Sequence, residues 1–163
     1  MALLTIVKDG DEVLRKKCKE VKEITPRIKT LIADMIETLH EVQGAGLAAP
    51  QVGVLKRIAI VEAEPGETIV LINPKIVAYY GEQEDLEGCL SLPGKWGIVK
   101  RPMGVTVTAL DIDGNPVTYT GSELKARAFC HEIDHLDGIL YKDKATRMLT
   151  KKEIKEYVEE EEE

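Results

Sequence analysis

Leu124-Lys125-Ala126-Arg127-Ala128-Phe129-Cys130-His131-Glu132-Ile133-Asp134-His135-Leu136 reads as one amphipathic helix with two different faces. Ala126, Phe129, Cys130, Ile133 and Leu136 recur at helical spacing and form an apolar stripe that is complete without the histidines. His131 and His135 stand four residues apart, so they project from one face and can chelate a single ion. Glu132 precedes His135 by three residues and lies near the same face, where it can hold a water and take its proton. The helix is expected to begin near Ser122 and to end at Gly138. The chain has only 3 histidines, and two fall in this motif. His40, outside it, reads as a structural or exposed helix residue.

Upstream of this helix the chain alternates into strands. Arg57 to Glu62, Ile69 to Asn73 and Lys75 to Tyr80 carry strand composition, and Gly104 to Ile112 and Pro116 to Thr120 flank the turn pair Asp113-Gly114. A first long helix is expected from Thr25, a capping residue followed by Pro26, with Ile28, Leu31, Ile32, Met35, Leu39 and Val42 at helical spacing and Gly44 as its end. A short helix is expected at Asp9 to Val13, with Asp11 as its cap. Thr150-Lys151-Lys152-Glu153 matches a capping box and opens a last helix. Its terminal glutamates oppose the helix dipole, so the tail at 159–163 is expected to fray. The order predicts an α+β fold. Mainly antiparallel sheets pack around a central HExxH-bearing helix, with an N-terminal and a C-terminal helix.

The bulk properties fit a single domain over 1–163. At 163 residues a chain buries roughly 70% of its unfolded surface, enough for a core. That core must be aliphatic, because aromatics are only 4%. Three cysteines are too few, and odd in number, for a disulfide framework. No apolar run approaches the roughly 18 residues of a membrane span, and Met1-Ala2-Leu3-Leu4 lacks the features of a secretion signal, so a cytoplasmic location is expected. The net charge of −7 owes five units to Glu159–Glu163, so it describes a tail and not a binding face. Nothing resembles the basic stripe of a nucleic-acid binder.

Two histidines need a third ligand, and the residues offer three kinds. The pattern HExxHxxGxxH matches as far as Gly138 but meets Tyr141 where a histidine should stand. Glu153 and Glu156 lie in a helix rich in Lys and Glu, where they read as a solvated face. Cys89, in Glu87-Gly88-Cys89-Leu90-Ser91, would bring a thiolate, and Gly88 leaves room beside it for an ion or another backbone. Cys18 and Cys130 read as small buried hydrophobes. Gly44, Gly46 and Ala49 also satisfy the dinucleotide fingerprint G-x-G-x-x-G/A. That fingerprint needs a strand before it and a helix after it, whereas here a helix precedes and Pro50 discourages one, so no dinucleotide cofactor is expected.

Gly44-Ala45-Gly46-Leu47-Ala48-Ala49-Pro50-Gln51, Glu87-Gly88-Cys89-Leu90-Ser91 and His131-Glu132-Ile133-Asp134-His135 occur in the order of three motifs of the bacterial peptide deformylases. The chain resembles that family over essentially its whole length. The resemblance implies a hydrolase that removes the formyl group from the N-terminal formyl-methionine of newly synthesised proteins, releasing formate. It implies Cys89, His131 and His135 as metal ligands with water as the fourth, and Glu132 as proton carrier. The Gln51 side-chain amide and the Leu90 backbone N–H are implied as donors to the formyl oxygen. The family uses Fe2+, with Zn2+ or Ni2+ able to occupy the site. The methionine pocket would involve Ala45, Leu124 and Ala128, and the stem of Arg127 would line it while its charge reaches water. An extended peptide could add beside Ala45-Gly46 or near Gly94 to Gly97, with glycine at 46 admitting it closely. Glu87 and Arg101 are expected to pair and brace the cysteine loop. The resemblance also implies nascent chains as partners and work at the ribosome, although the acidic tail argues against direct binding of RNA there. Two other classes compete. One is an HExxH peptidase that makes no use of Cys89. The other is a binding protein with a structural metal site, which would have no use for Glu132 or Gln51.

Overall fold

The structure is a computed structural model that describes residues 2–162, and the side chains of residues 2–160. Five strands form one antiparallel sheet: β1 (Gly46–Ala48), β2 (Ile58–Val61), β3 (Ile69–Tyr80), β6 (Gly104–Leu110) and β7 (Pro116–Ser122), in that spatial order. A second sheet has the order β4 (Gln83–Cys89), β5 (Leu92–Arg101) and β8 (Ala145–Leu149). Four α-helices accompany them: α1 (Pro26–Val42), α2 (Leu124–Leu136), the single turn α3 (Tyr141–Lys144) and α4 (Lys151–Glu162). The expected α+β class and the central HExxH helix are both found. No helix among the described residues is long and apolar enough to cross a membrane.

The larger sheet is buried on both faces at β2, whose four residues are all buried. Ile58 and Ile60 point to α1, where they join Ile28, Ile32, Met35 and Leu39. Ala59 and Val61 point the other way, to Ala126, Phe129, Cys130, Ile133 and Leu136 of α2. The period of two in the strand thus feeds two helices whose apolar stripes have the period of 3.6. The stripe read from the sequence of α2 is the face that enters the core, which turns the histidines toward the smaller sheet.

Several boundaries differ from the expectation, each for a local reason. Ser122 closes β7, paired with Gly104, and the chain enters α2 through Glu123 at φ +56 with no capping side chain, so ladder pairing has overridden Ser122 as a cap. The first long helix ends at Val42 with Gln43 in the left-handed region, one residue before Gly44. Ile69 to Tyr80 is one strand with a register shift at Asn73-Pro74, not two strands. Pro74 cannot donate to the ladder, and Asn73, at φ +52, instead exchanges hydrogen bonds of 2.8 and 2.9 Å with the Val21 backbone. The expected short helix is a 3-10 turn at Glu12–Arg15, capped by Asp11. Pro50 does not exclude a helical turn, because it sits in the first turn of a 3-10 segment, Ala49–Val52, where its missing N–H costs nothing. The capping box at Thr150 and Glu153 forms, with bonds of 3.2 Å in each direction. α4 extends to Glu162, so the tail expected to fray forms its last turn; residue 163 lies outside the described residues.

Gly138 ties α2 to the N-terminal segment. It follows the helix at φ +75, and a Cβ there would lie 2.6 Å from the Arg15 carbonyl oxygen. Gly138→Ala is therefore expected to destabilise the fold by more than the roughly 1–2 kcal/mol of the left-handed backbone alone. At about 2–4 °C per kcal/mol for a chain of this size, differential scanning calorimetry should register the loss as a lower Tm.

Candidate metal centre and active site

Cys89 ends β4, and His131 and His135 lie on α2, so the site forms where the small sheet meets the central helix. One donor atom from each of these three side chains lies within 4.8 Å of the others. Cys89 Sγ is 3.3 Å from His135 Nε2. Ligands of one tetrahedral Zn-sized ion stand about 3.5 Å apart, so this spacing fits a shared ion. The chemistry of the donors fits too, since a thiolate with two imidazoles suits iron or zinc. The Ser91 N–H donates to Sγ at 3.4 Å. Burial, and after it the proximity of His131, pushes the His135 pKa well down.

Glu132 is buried, and its Oε1 has no hydrogen-bond partner among the described residues. Burial raises its carboxyl to about 7, against an opposing pull from His131. Gly46 owes its identity to this side chain: a Cβ at 46 would lie 2.4 Å from Glu132 Oε2. The expected reason, close approach of a substrate backbone, is thus joined by a contact inside the protein. Gln51 is fully buried. Its Oε1 accepts from the Ala48 N–H at 3.0 Å, which turns the amide nitrogen toward Ser91 Oγ at 3.1 Å and Cys89 Sγ at 3.5 Å. Leu90 lies in the turn between β4 and β5, beside the cysteine.

Gln51, Cys89, Leu90, His131 and Glu132 border a cavity of about 500 Å³ that also takes in Ala45, Gly46, Leu124, Arg127 and Ala128. Leu124 is 53% exposed at its rim, whereas Ala128 is buried. The expectation for Arg127 needs correction: its charge does not reach water. The guanidinium is buried, with Nη1 donating to Glu87 Oε1 at 2.8 Å and Nη2 to the Val99 carbonyl at 3.2 Å. A carboxylate in the dry interior holds it more firmly than the solvent would. Gly88 also serves a different purpose from the one expected, because a Cβ there would meet the Trp96 ring at 2.7 Å. Trp96 covers this glycine and forms part of the cavity wall.

The expected pair of Glu87 and Arg101 is present, at 2.7 Å between Oε2 and Nη2. Sequence reasoning missed what else Glu87 does. Its Oε2 is 2.7 Å from His131 Nδ1, so it fixes the ring and leaves Nε2 as the free donor atom. Burial alone would raise the Glu87 pKa, but hydrogen bonds from His131 and Arg101 outweigh it and hold the carboxyl well below its usual range. The only hint in the sequence was an acid two residues before Cys89. Tyr141, where the longer histidine pattern fails, is buried with its hydroxyl on the Lys95 carbonyl; of the glutamate candidates, Glu153 caps α4 and pairs with Arg147, and Glu156 is exposed. His40 is half-exposed and pairs with Glu62 at 2.8 Å. Cys18 and Cys130 are buried, and burial raises both thiols, Cys18 to about 11.

Comparison with known proteins agrees with this geometry. Residues 3–151 match the family model described as polypeptide deformylase. The peptide deformylase of Acetivibrio thermocellus is 54% identical over 154 residues, covering 94% of this chain and 90% of that protein. The peptide deformylase of Thermoanaerobacter pseudethanolicus is 51% identical over 160 residues, with 98% and 99% of the two chains covered. The crystal structure of the Thermotoga maritima peptide deformylase superposes with a TM-score of 0.86 at 35% identity, covering 90% of this chain and 99% of that one. A Synechococcus elongatus peptide deformylase solved in complex with actinonin gives 0.84 at 36% identity, covering 96% and 85%. The three motifs, the two sheets around the HExxH helix and these relatives converge: the chain belongs to the polypeptide deformylases, metal-dependent hydrolases that remove the formyl group from nascent peptides.

Proposed function

We propose that Cys89, His131 and His135 hold one divalent ion in this chain, and that Glu132, Gln51 and Leu90 carry out deformylation beside it. The observation that supports this most is the convergence of three donor atoms within 4.8 Å, two of them from Cys89 and His131, which line the same cavity as Glu132. When bound, the ion supplies Lewis-acid chemistry, acidifying a water and polarising the formyl oxygen. We assign Fe2+ to the site, with Zn2+ and Ni2+ as ions that the same donors accept.

The residues divide the remaining work. Glu132 takes a proton from the attacking water and passes it to the departing amine nitrogen as the formyl C–N bond breaks. Its Oε1 has no competing hydrogen-bond partner among the described residues. Gln51 offers an amide N–H already aimed at the site by the Ala48 bond, and we assign it to the formyl oxygen together with the Leu90 N–H. The methionine side chain enters between Ala45, Leu124 and Ala128, and the buried Arg127 stem forms the base of that wall. β1 and β4 are edge strands of their sheets, and both border the cavity, so an extended peptide can pair with main-chain groups of either. We place the enzyme in the cytoplasm, acting on nascent chains at the ribosome without contact between its acidic tail and RNA.

The test is formate release from a formyl-methionyl peptide by anaerobically purified protein, with the acetyl-methionyl peptide in parallel. Formate from the first and no cleavage of the second is expected. Gln51→Ala should lose roughly 2.7–4 kcal/mol of transition-state stabilisation, seen mainly in kcat. Cys89→Ala should lose the bound metal. Retention of the metal, or cleavage of internal peptide bonds, would favour a peptidase instead.

A further inference from the structure

We propose that Asp134, the residue before the second histidine, is a positioning residue for the metal centre. It fixes the Arg101 guanidinium, so that Glu87 holds His131 at a set distance from Cys89. This inference rests on the metal site proposed above.

The Glu87 carboxylate has about four acceptor positions, and all are taken. Oε1 accepts from Arg101 Nε at 3.2 Å and Arg127 Nη1 at 2.8 Å. Oε2 accepts from Arg101 Nη2 and faces His131 Nδ1, each at 2.7 Å. A carboxylate so saturated is oriented only as well as its donors are. Arg127 is held by its second bond to the Val99 carbonyl. Arg101 has one further anchor, Asp134 Oδ2, at 2.6 Å from Nη1. The Arg101 side chain is 2% exposed, so water is a poor substitute for that anchor. Asp134 is itself held from its outer side by Lys144 of α3, 3.1 Å away.

The contacts close a ring. Asp134 and His131 stand one turn apart on α2, Arg101 comes from β5 and Glu87 from β4. The backbone of α2 joins the two ends. Cys89 lies two residues beyond Glu87 on the same strand, so the ring sets the separation between the sheet-borne ligand and the helix-borne ones. Charge points the same way. Arg101 and Arg127 bring two positive charges to one carboxylate, and Asp134 supplies the second negative charge. Glu87 then retains its pull on the Nδ1 proton of His131, which strengthens the ring as a ligand. This accounts for the aspartate in the HExxH segment, for which the deformylation chemistry has no direct use.

The experiment measures Co2+ affinity by chelator competition and the visible absorption of the cobalt-loaded protein, at a temperature where every variant is folded. Asp134→Asn should bind Co2+ about 10–100-fold more weakly, in line with other residues that support metal ligands. Its cobalt spectrum should change, and kcat should fall while KM for a formyl-methionyl peptide stays within about twofold. Arg57→Ala serves as comparator, because Arg57 pairs with Asp137 at 2.9 Å at the end of the same helix. It should lower the Tm without changing Co2+ affinity. If Asp134→Asn behaves like this comparator, Asp134 is merely structural and the proposal is overturned. If it does not fold, Arg101→Lys keeps the charge and drops the fork, and it must show the same loss of affinity; wild-type affinity there overturns the proposal as well. Absence of a Cys89-dependent cobalt spectrum in the unmodified protein would instead remove the metal-site reading beneath it.

Discussion

Replacing Glu132 by Gln lowers kcat for a formyl-methionyl peptide by about 10²–10⁴-fold, the usual contribution of a positioned acid–base group. The same protein keeps its metal, because Glu132 is not among the three converging donors. It also keeps or gains stability. The wild-type carboxylate is buried with one oxygen unpartnered, which is an unfavourable place for an ionised group. Loss of rate together with an equal or higher Tm is the signature of a residue kept for chemistry at the expense of stability. The pH profile gives an independent check. Burial raises the Glu132 carboxyl to about 7, and an adjacent cation lowers that value, so the acid limb of kcat falls at or below pH 7. That limb belongs to the ionised base and should vanish in Glu132→Gln. Retention of the limb, or of more than about a tenth of the rate, would assign the proton transfer elsewhere.

The helix bearing these groups was legible in the sequence because two periodic signals coincide in it. The apolar stripe of Ala126, Phe129, Cys130, Ile133 and Leu136 fixed which side enters the core, and the two histidines then had to face outward from it. The hairpin of β6 and β7 and the first long helix were legible for the same reason. The small sheet was not. β4 reads Gln-Glu-Asp-Leu-Glu-Gly-Cys, too acidic for strand composition, and β5 carries Pro93, Gly94 and Gly97. Only pairing makes these segments strands: β4 against β5, and β5 against β8. Much of the site hangs on this sheet. Cys89 could be singled out as a residue type, but nothing local announced that Glu87 would meet His131, forty-four positions away. Arg127 borders the cavity, but its charge lies in the interior and not in solvent, because a helical periodicity cannot show that a buried carboxylate waits on a neighbouring strand.

Glu87 is accordingly where the second large effect is expected. Glu87→Ala removes the acceptor shared by Arg101, Arg127 and His131 and leaves two buried guanidinium groups short of counter-charge. Breaking a buried ion pair from one side costs about 3–5 kcal/mol, more than the pair itself contributes, because the stranded charges keep their desolvation penalty. For a chain of this size the Tm should fall by roughly 6–20 °C. Removing one stranded charge should recover part of the loss, so Glu87→Ala with Arg127→Leu should melt higher than Glu87→Ala alone. The pH dependence has a defined sign. The folded-state pKa of Glu87 is depressed, so its contribution is complete above the unfolded value, near 4.3, and is lost as pH falls below it toward the folded value. The stability gap between wild type and the isosteric Glu87→Gln should therefore be constant from about pH 7 to pH 5 and shrink below about pH 4. Urea unfolding at several pH values measures it. A gap that stays constant down to pH 3, roughly one unit below the unfolded value, would mean that Glu87 acts through shape and hydrogen bonding alone, and that the charges of Arg101 and Arg127 are balanced elsewhere.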